Sequence, residues 1–133
     1  MKKLLVLPII FLSLVMSSVA YAEWILVTTD KLLTNYYVDY KRIRKHDGKV
    51  YYWELGELLR TDQNGMRSAI IYIEAECGRF RFRYLNQTYY NDMMGSGEVL
   101  FSNNTSDKEW NYPPPNSPRD TILEFVCKFK NMQ

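Results

Sequence analysis

The sequence predicts an α+β domain that is mainly β: an antiparallel sheet of about six strands, with one C-terminal helix packed on it and tied to it by a disulfide. Three observations carry this prediction. Short segments rich in Tyr, Ile, Val and Trp alternate apolar with polar side chains between turn signals. Only the C-terminal segment carries an apolar stripe at helical spacing. The two cysteines fall at the end of a strand segment, Cys77, and inside that helix, Cys127.

The first residues read as an export signal. Lys2 and Lys3 precede an apolar run of 13 residues, Leu4 to Met16, interrupted only by Ser13. Ala20-Tyr21-Ala22 then matches an A-x-A cleavage pattern. A bilayer span needs about 20 apolar residues, and Pro8 weakens a membrane helix, so no stable span is expected once the signal is removed. The domain plan is therefore a signal peptide over 1–22 and a single domain over 23–133. Without Lys2 and Lys3, 15 Lys and Arg stand against 15 Asp and Glu. A net charge of zero argues against nucleic acid as a partner. In an exported chain two cysteines read as one bridge, Cys77 to Cys127, rather than as two free buried thiols.

Within the mature part, Glu23 to Thr29 and Asn35 to Tyr40 read as the first two strands. Lys41 to Gly48 is a charged connection ending in the turn dipeptide Asp47-Gly48. Lys49 to Leu58 follows with Tyr51, Trp53 and Leu55 on one face. After the turn Asp62-Gln63-Asn64-Gly65, the strand Ser68 to Cys77 sets Ala69, Ile71, Ile73 and Ala75 against Ile70, Tyr72, Glu74 and Glu76. The clearest alternation comes next: Arg79, Arg81 and Arg83 interleave with Phe80, Phe82 and Tyr84, predicting one cationic and one aromatic face.

Gly95-Ser96-Gly97 breaks the chain before a short strand, Glu98 to Phe101, and a polar stretch from Ser102 to Pro118. The helix begins there. Ser117 suits the cap, Pro118 the first helical position and Asp120 the positive end. Ile122, Phe125, Val126 and Phe129 form its apolar stripe.

No constellation announces a reaction, and the chain reads as a non-enzyme without catalytic residues. His46 is the only histidine and lies in a charged turn, with no nucleophile motif for it to serve. One histidine and two bridged cysteines leave no ligand cluster for a metal, and no cofactor is expected. Glu74 and Glu76 read as partners for arginines on a neighbouring strand. The candidate partner-binding residues are the loop cations Lys41, Arg42, Arg44 and Lys45 and the strand cations Arg79, Arg81 and Arg83. Guanidinium and ammonium groups match carboxylate and sulfate oxygens, so a protein or glycan partner fits. The bland alternative is a solvated face paired with nearby glutamates. Adjacent pairs such as Tyr36-Tyr37, Tyr51-Tyr52 and Tyr89-Tyr90 put rings on both sides of a strand, which leaves a homodimer open.

The order of features resembles the surface-adhesin protein E family of bacterial exported proteins. The residues that carry the resemblance are Trp24, Tyr37-Val38-Asp39-Tyr40, Ile43, Val50-Tyr51-Tyr52-Trp53 and Glu74-Ala75-Glu76-Cys77. Arg81, Arg83, Gly95 to Gly97, Trp110, the proline stretch and Cys127 complete it. The resemblance implies the same sheet-and-helix fold and, from the family's namesake, adhesion to host extracellular-matrix and serum proteins. That namesake is a lipoprotein, whereas this chain has no cysteine near the expected cleavage point. Two roles are thus expected: an exported adhesin-like binding module, or a periplasmic envelope accessory protein with no host partner. Location is periplasm or secreted, with surface association left open.

Overall fold

The computed structural model describes residues 22–129, so the expected signal peptide lies almost entirely outside the described residues. Seven strands form one antiparallel sheet: β1 (Trp24–Thr29), β2 (Asn35–Asp39), β3 (Arg44–His46), β4 (Lys49–Glu57), β5 (Ser68–Glu76), β6 (Arg81–Tyr90) and β7 (Val99–Asn103). One helix, α1 (Pro118–Lys128), packs on it. The spatial order is β1-β2-β4-β5-β6-β7, with β3 pairing to β4 beyond the end of β2. The expected mainly β architecture, with its C-terminal helix and Cys77–Cys127 bridge, is present.

Strand β3 is the seventh strand, inside a segment expected to be a loop. Asp47 and Gly48 both adopt positive φ, 50° and 75°. That is the backbone of a type I′ turn, whose twist matches a two-stranded hairpin, so Arg44–His46 folds back onto Tyr51–Lys49. A 3-10 turn, Tyr40–Arg42, and the buried Ile43 link β2 to β3. A second correction concerns the arginine strand. Arg79 and Phe80 belong to the turn after Cys77, with Phe80 at φ 51°, and the strand starts only at Arg81. A third concerns the polar stretch, whose first residues continue β7 to Asn103.

Helix α1 begins as its residues dictate. The Ser117 hydroxyl accepts from the Asp120 N–H at 3.2 Å, the Asp120 carboxylate accepts from the Asn116 N–H at 2.9 Å, and Pro118 needs no partner in the first turn. Its inward face buries Ile122, Leu123 and Val126 against Val38, Ile43, Val50, Tyr52, Ile73, Ala75 and Phe82. Leu123 completes the expected stripe, while Phe125 and Phe129 pack at its margin. Burial of each such side chain contributes about 1.5–3 kcal/mol. The bridge at Cys77–Cys127 fastens the end of α1 to the end of β5.

Candidate functional site

Because the helix covers one face of the sheet, the functional question moves to the other. Strand alternation and register send Tyr51 and Trp53 from β4, Tyr72, Glu74 and Glu76 from β5, and Arg81 and Arg83 from β6 to that second face. Part of it is closed. The 3-10 turn Met93–Gly95 lies over Leu55, Ile70 and Ser68; the Ser68 hydroxyl donates to Asp92 O at 2.6 Å and accepts from the Gly95 N–H at 2.9 Å. A side chain at Gly95 would run into Ile70, and its φ of 68° favours glycine. Trp110 covers another part, over Lys49, Arg81 and Arg83, and the stretch between is left open.

Aromatic rings occupy the middle of this open part. Trp53 and Tyr72 face each other across β4 and β5 with ring centres 4.6 Å apart and planes 24° from parallel. Tyr51 lies 6.3 Å from Tyr72, and the Arg42 guanidinium sits 5.4 Å from the Trp53 ring on its way to Asp39. All three rings are half-buried, leaving part of each in contact with solvent. Burial raises the Tyr72 hydroxyl above its usual pKa.

Beside the rings lies an ion-pair lattice. Glu74 is buried between Lys49 at 3.4 Å and Arg83 at 3.2 Å. Glu76 accepts from Arg81 at 2.9 Å and meets Arg79 at 3.4 Å. The hydrogen bond from Arg81 holds the Glu76 carboxyl below its usual range. Trp110 closes the lattice, with its ring 4.4 Å from the Arg81 guanidinium, 4.6 Å from that of Arg83 and 5.8 Å from the Lys49 ammonium. Asn111 puts it there by pairing with Phe82 through two backbone hydrogen bonds, at 2.8 and 2.9 Å, so a segment without regular structure is held as an extra edge.

The seven candidate cations do not form one patch. Arg81 and Arg83 stand side by side but are committed to glutamates and Trp110. Arg79 is exposed at the turn, and Arg42 is turned inward to Asp39 at 2.5 Å. Lys41 is exposed beside its own neighbour Tyr40. Arg44 faces the open side and bonds only the carbonyls of Lys41 and Ile43, so it has no carboxylate partner among the described residues. The alternation of β3 sends Lys45 to the opposite face, in register with buried Val50. Sequence reasoning missed Trp110 and the Trp53–Tyr72 stack. The stack was findable in principle from the pairing register of β4 and β5; the position of Trp110 had no local signal.

Among the described residues no group of three or more His, Cys, Asp or Glu side chains could hold a metal, and no helix is long and apolar enough to cross a membrane. The sequence model of the surface-adhesin protein E family matches residues 24–128. No curated protein matches the sequence. Solved structures of Haemophilus influenzae protein E share the fold: one superimposes with a TM-score of 0.61 at 14% identity, covering 81% of this chain and 89% of that one. A second, from a non-typeable strain, gives 0.56 at 15% identity, covering 83% and 78%.

Proposed function

This chain belongs to the surface-adhesin protein E family, and from that premise we propose an exported, non-enzymatic binding module that engages a protein or glycan partner through the open face of its sheet. The observation that carries the reading is the half-exposed group Tyr51, Trp53 and Tyr72, flanked by the guanidinium of Arg44, which has no carboxylate partner among the described residues. Tyr, Trp and Arg are the side chains that dominate binding energy at protein surfaces: Tyr and Trp offer large area with little rotamer loss, and Arg offers a planar fork of donors. Export is part of the proposal. It rests on the signal-like residues 1–22 and fits the disulfide, which forms in an oxidising compartment.

The test is retention of partners from envelope and extracellular-matrix extracts on the oxidised protein, compared with its Trp53→Ala and Arg44→Glu variants. Partners held by the parent and lost by both variants support the reading. Equal retention by all three defeats it. Fractionation of the producing cells decides the partner's side: protein at the surface or in the medium can meet a host, whereas protein confined to the periplasm serves an envelope partner.

A further inference from the structure

A separate surface lies at the β7 edge, with β6 between it and the aromatic group on β4 and β5. Strand β7 pairs only with β6, so its other side presents backbone donors and acceptors with no strand against them among the described residues. Edge strands are usually guarded by charged or proline residues. Here the strand is Val99-Leu100-Phe101-Ser102-Asn103, with no charge and no proline, and its first three side chains are 55%, 43% and 60% exposed. Adjacent residues of a strand that are all exposed and all apolar are uncommon on a soluble surface.

The register explains their orientation. Tyr89 pairs with Phe101 but Tyr90 pairs with Val99, so Leu100 is an extra residue in a β-bulge. The bulge brings Leu100 and Phe101 together into the wall of a cleft of about 360 Å³ completed by Met66, Tyr89, Asn64 and Asp62. Both sides of this cleft are held in place. Tyr89 donates to Gln87 at 2.6 Å and lies 6.0 Å from the Phe101 ring. Opposite, the Asp62–Met66 turn is closed by Asp62 N–H donating to Met66 O at 2.9 Å, and one Asp62 carboxylate oxygen accepts from the N–H groups of Asn64 and Met66. The second Asp62 oxygen accepts no hydrogen bond among the described residues.

We propose that this cleft and the open edge of β7 dock an extended segment of a partner protein, with a large apolar side chain in the cleft and a basic residue beside it. The unpaired edge selects an extended backbone, because only a strand satisfies a row of alternating donors and acceptors. The floor of Met66, Tyr89, Leu100 and Phe101 selects the apolar side chain. Asp62, the single charged residue lining the cleft, selects the cation next to it. The cleft is at the small end of the range for ligand sites, which suits a side chain rather than a free small molecule.

The probe is an end-blocked synthetic peptide of about eight residues, built of Thr and Val with one Phe next to one Lys. Its binding is followed by fluorescence anisotropy and by amide shifts in the oxidised protein. Saturable binding is expected, with shifts at Tyr89, Leu100 and Phe101. Replacing the peptide Phe by Ala, or Leu100→Lys in the protein, should weaken it about tenfold. Asp62→Asn should remove the preference for Lys over Glu in the peptide while the melting temperature holds. Ser102→Pro should also abolish binding if the edge backbone takes part. No saturable binding, or binding indifferent to Leu100→Lys and Ser102→Pro, overturns the proposal. So does self-association of the protein abolished by Leu100→Lys, because the occupant would then be a second copy. Any of these failures leaves the open-face reading untouched.

Discussion

Arg119, in the first turn of α1, donates to Glu54 at the middle of β4 although 65 residues separate them, and both side chains are almost wholly removed from solvent. Arg119 also donates to the Tyr84 hydroxyl at 3.0 Å and lies 5.0 Å from the Phe82 ring. The helix is thus fastened twice: by this pair at its start and by the disulfide at its end. Between the two, Ile122, Leu123 and Val126 are pressed on the sheet.

Breaking one half of this pair leaves the other charge buried alone. Arg119→Ala is expected to cost about 3–5 kcal/mol in urea unfolding. The double change Glu54→Leu with Arg119→Met removes both charges and should cost far less. Equal losses in the single and double variants would show that the pair is not what the single variant disrupts.

Reduction of the bridge acts chiefly on the unfolded chain. A closed loop of 50 residues corresponds to about 4 kcal/mol of lost chain entropy. Replacing Cys77 and Cys127 together by Ala should lower stability by that order, and untreated protein should show no titratable thiol. Two free thiols in unreduced protein would contradict the bridge.

The arginines divide into structural and free. Arg83→Ala deprives buried Glu74 of one of its two cations, so a loss of about 1–3 kcal/mol is expected. Arg44→Ala touches only backbone carbonyls at the surface and should stay within about 0.5 kcal/mol of the parent. Thermal melts of the two variants decide the matter. If both are silent, Arg83 is as available to a partner as Arg44.

Alkaline pH should destabilise the protein through its buried phenols. Burial, followed by the hydrogen bond to Asp30 at 3.0 Å, pushes the Tyr36 hydroxyl from 10.0 up to about 12. Between these values the unfolded chain has lost a proton that the folded one keeps, so folding stability falls as pH rises from about 10 to about 12. Burial also raises Tyr52, the largest fully buried side chain, which extends the same trend upward. Melting temperature against pH checks this, and Tyr36→Phe should make the decline shallower.

Six strand segments along the chain, the helix start at Ser117 and Pro118, and the Cys77–Cys127 bridge were legible in the sequence, whereas the order in which the strands pair was not. The first two rest on short-range rules, alternation of faces and a cap with its proline, and the third on two cysteines in a chain with a signal-like start. The β3 hairpin was half legible. Asp47-Gly48 announced a turn, but the charges of Lys41 to Lys45 masked a strand whose backbone, rather than its side chains, makes the pairing.

What only the tertiary structure decided is which charges are engaged and which are left over. Arg79, Arg81 and Arg83 read alike along the chain. Register against Glu74 and Glu76, a bend that takes Arg79 out of the strand, and the ring of Trp110 nearly thirty positions on give the three different environments. Periodicity assigns a side chain to a face. It cannot say what arrives opposite that face, because ion pairing and ring contact act over a few ångströms between residues that the chain keeps far apart until it folds.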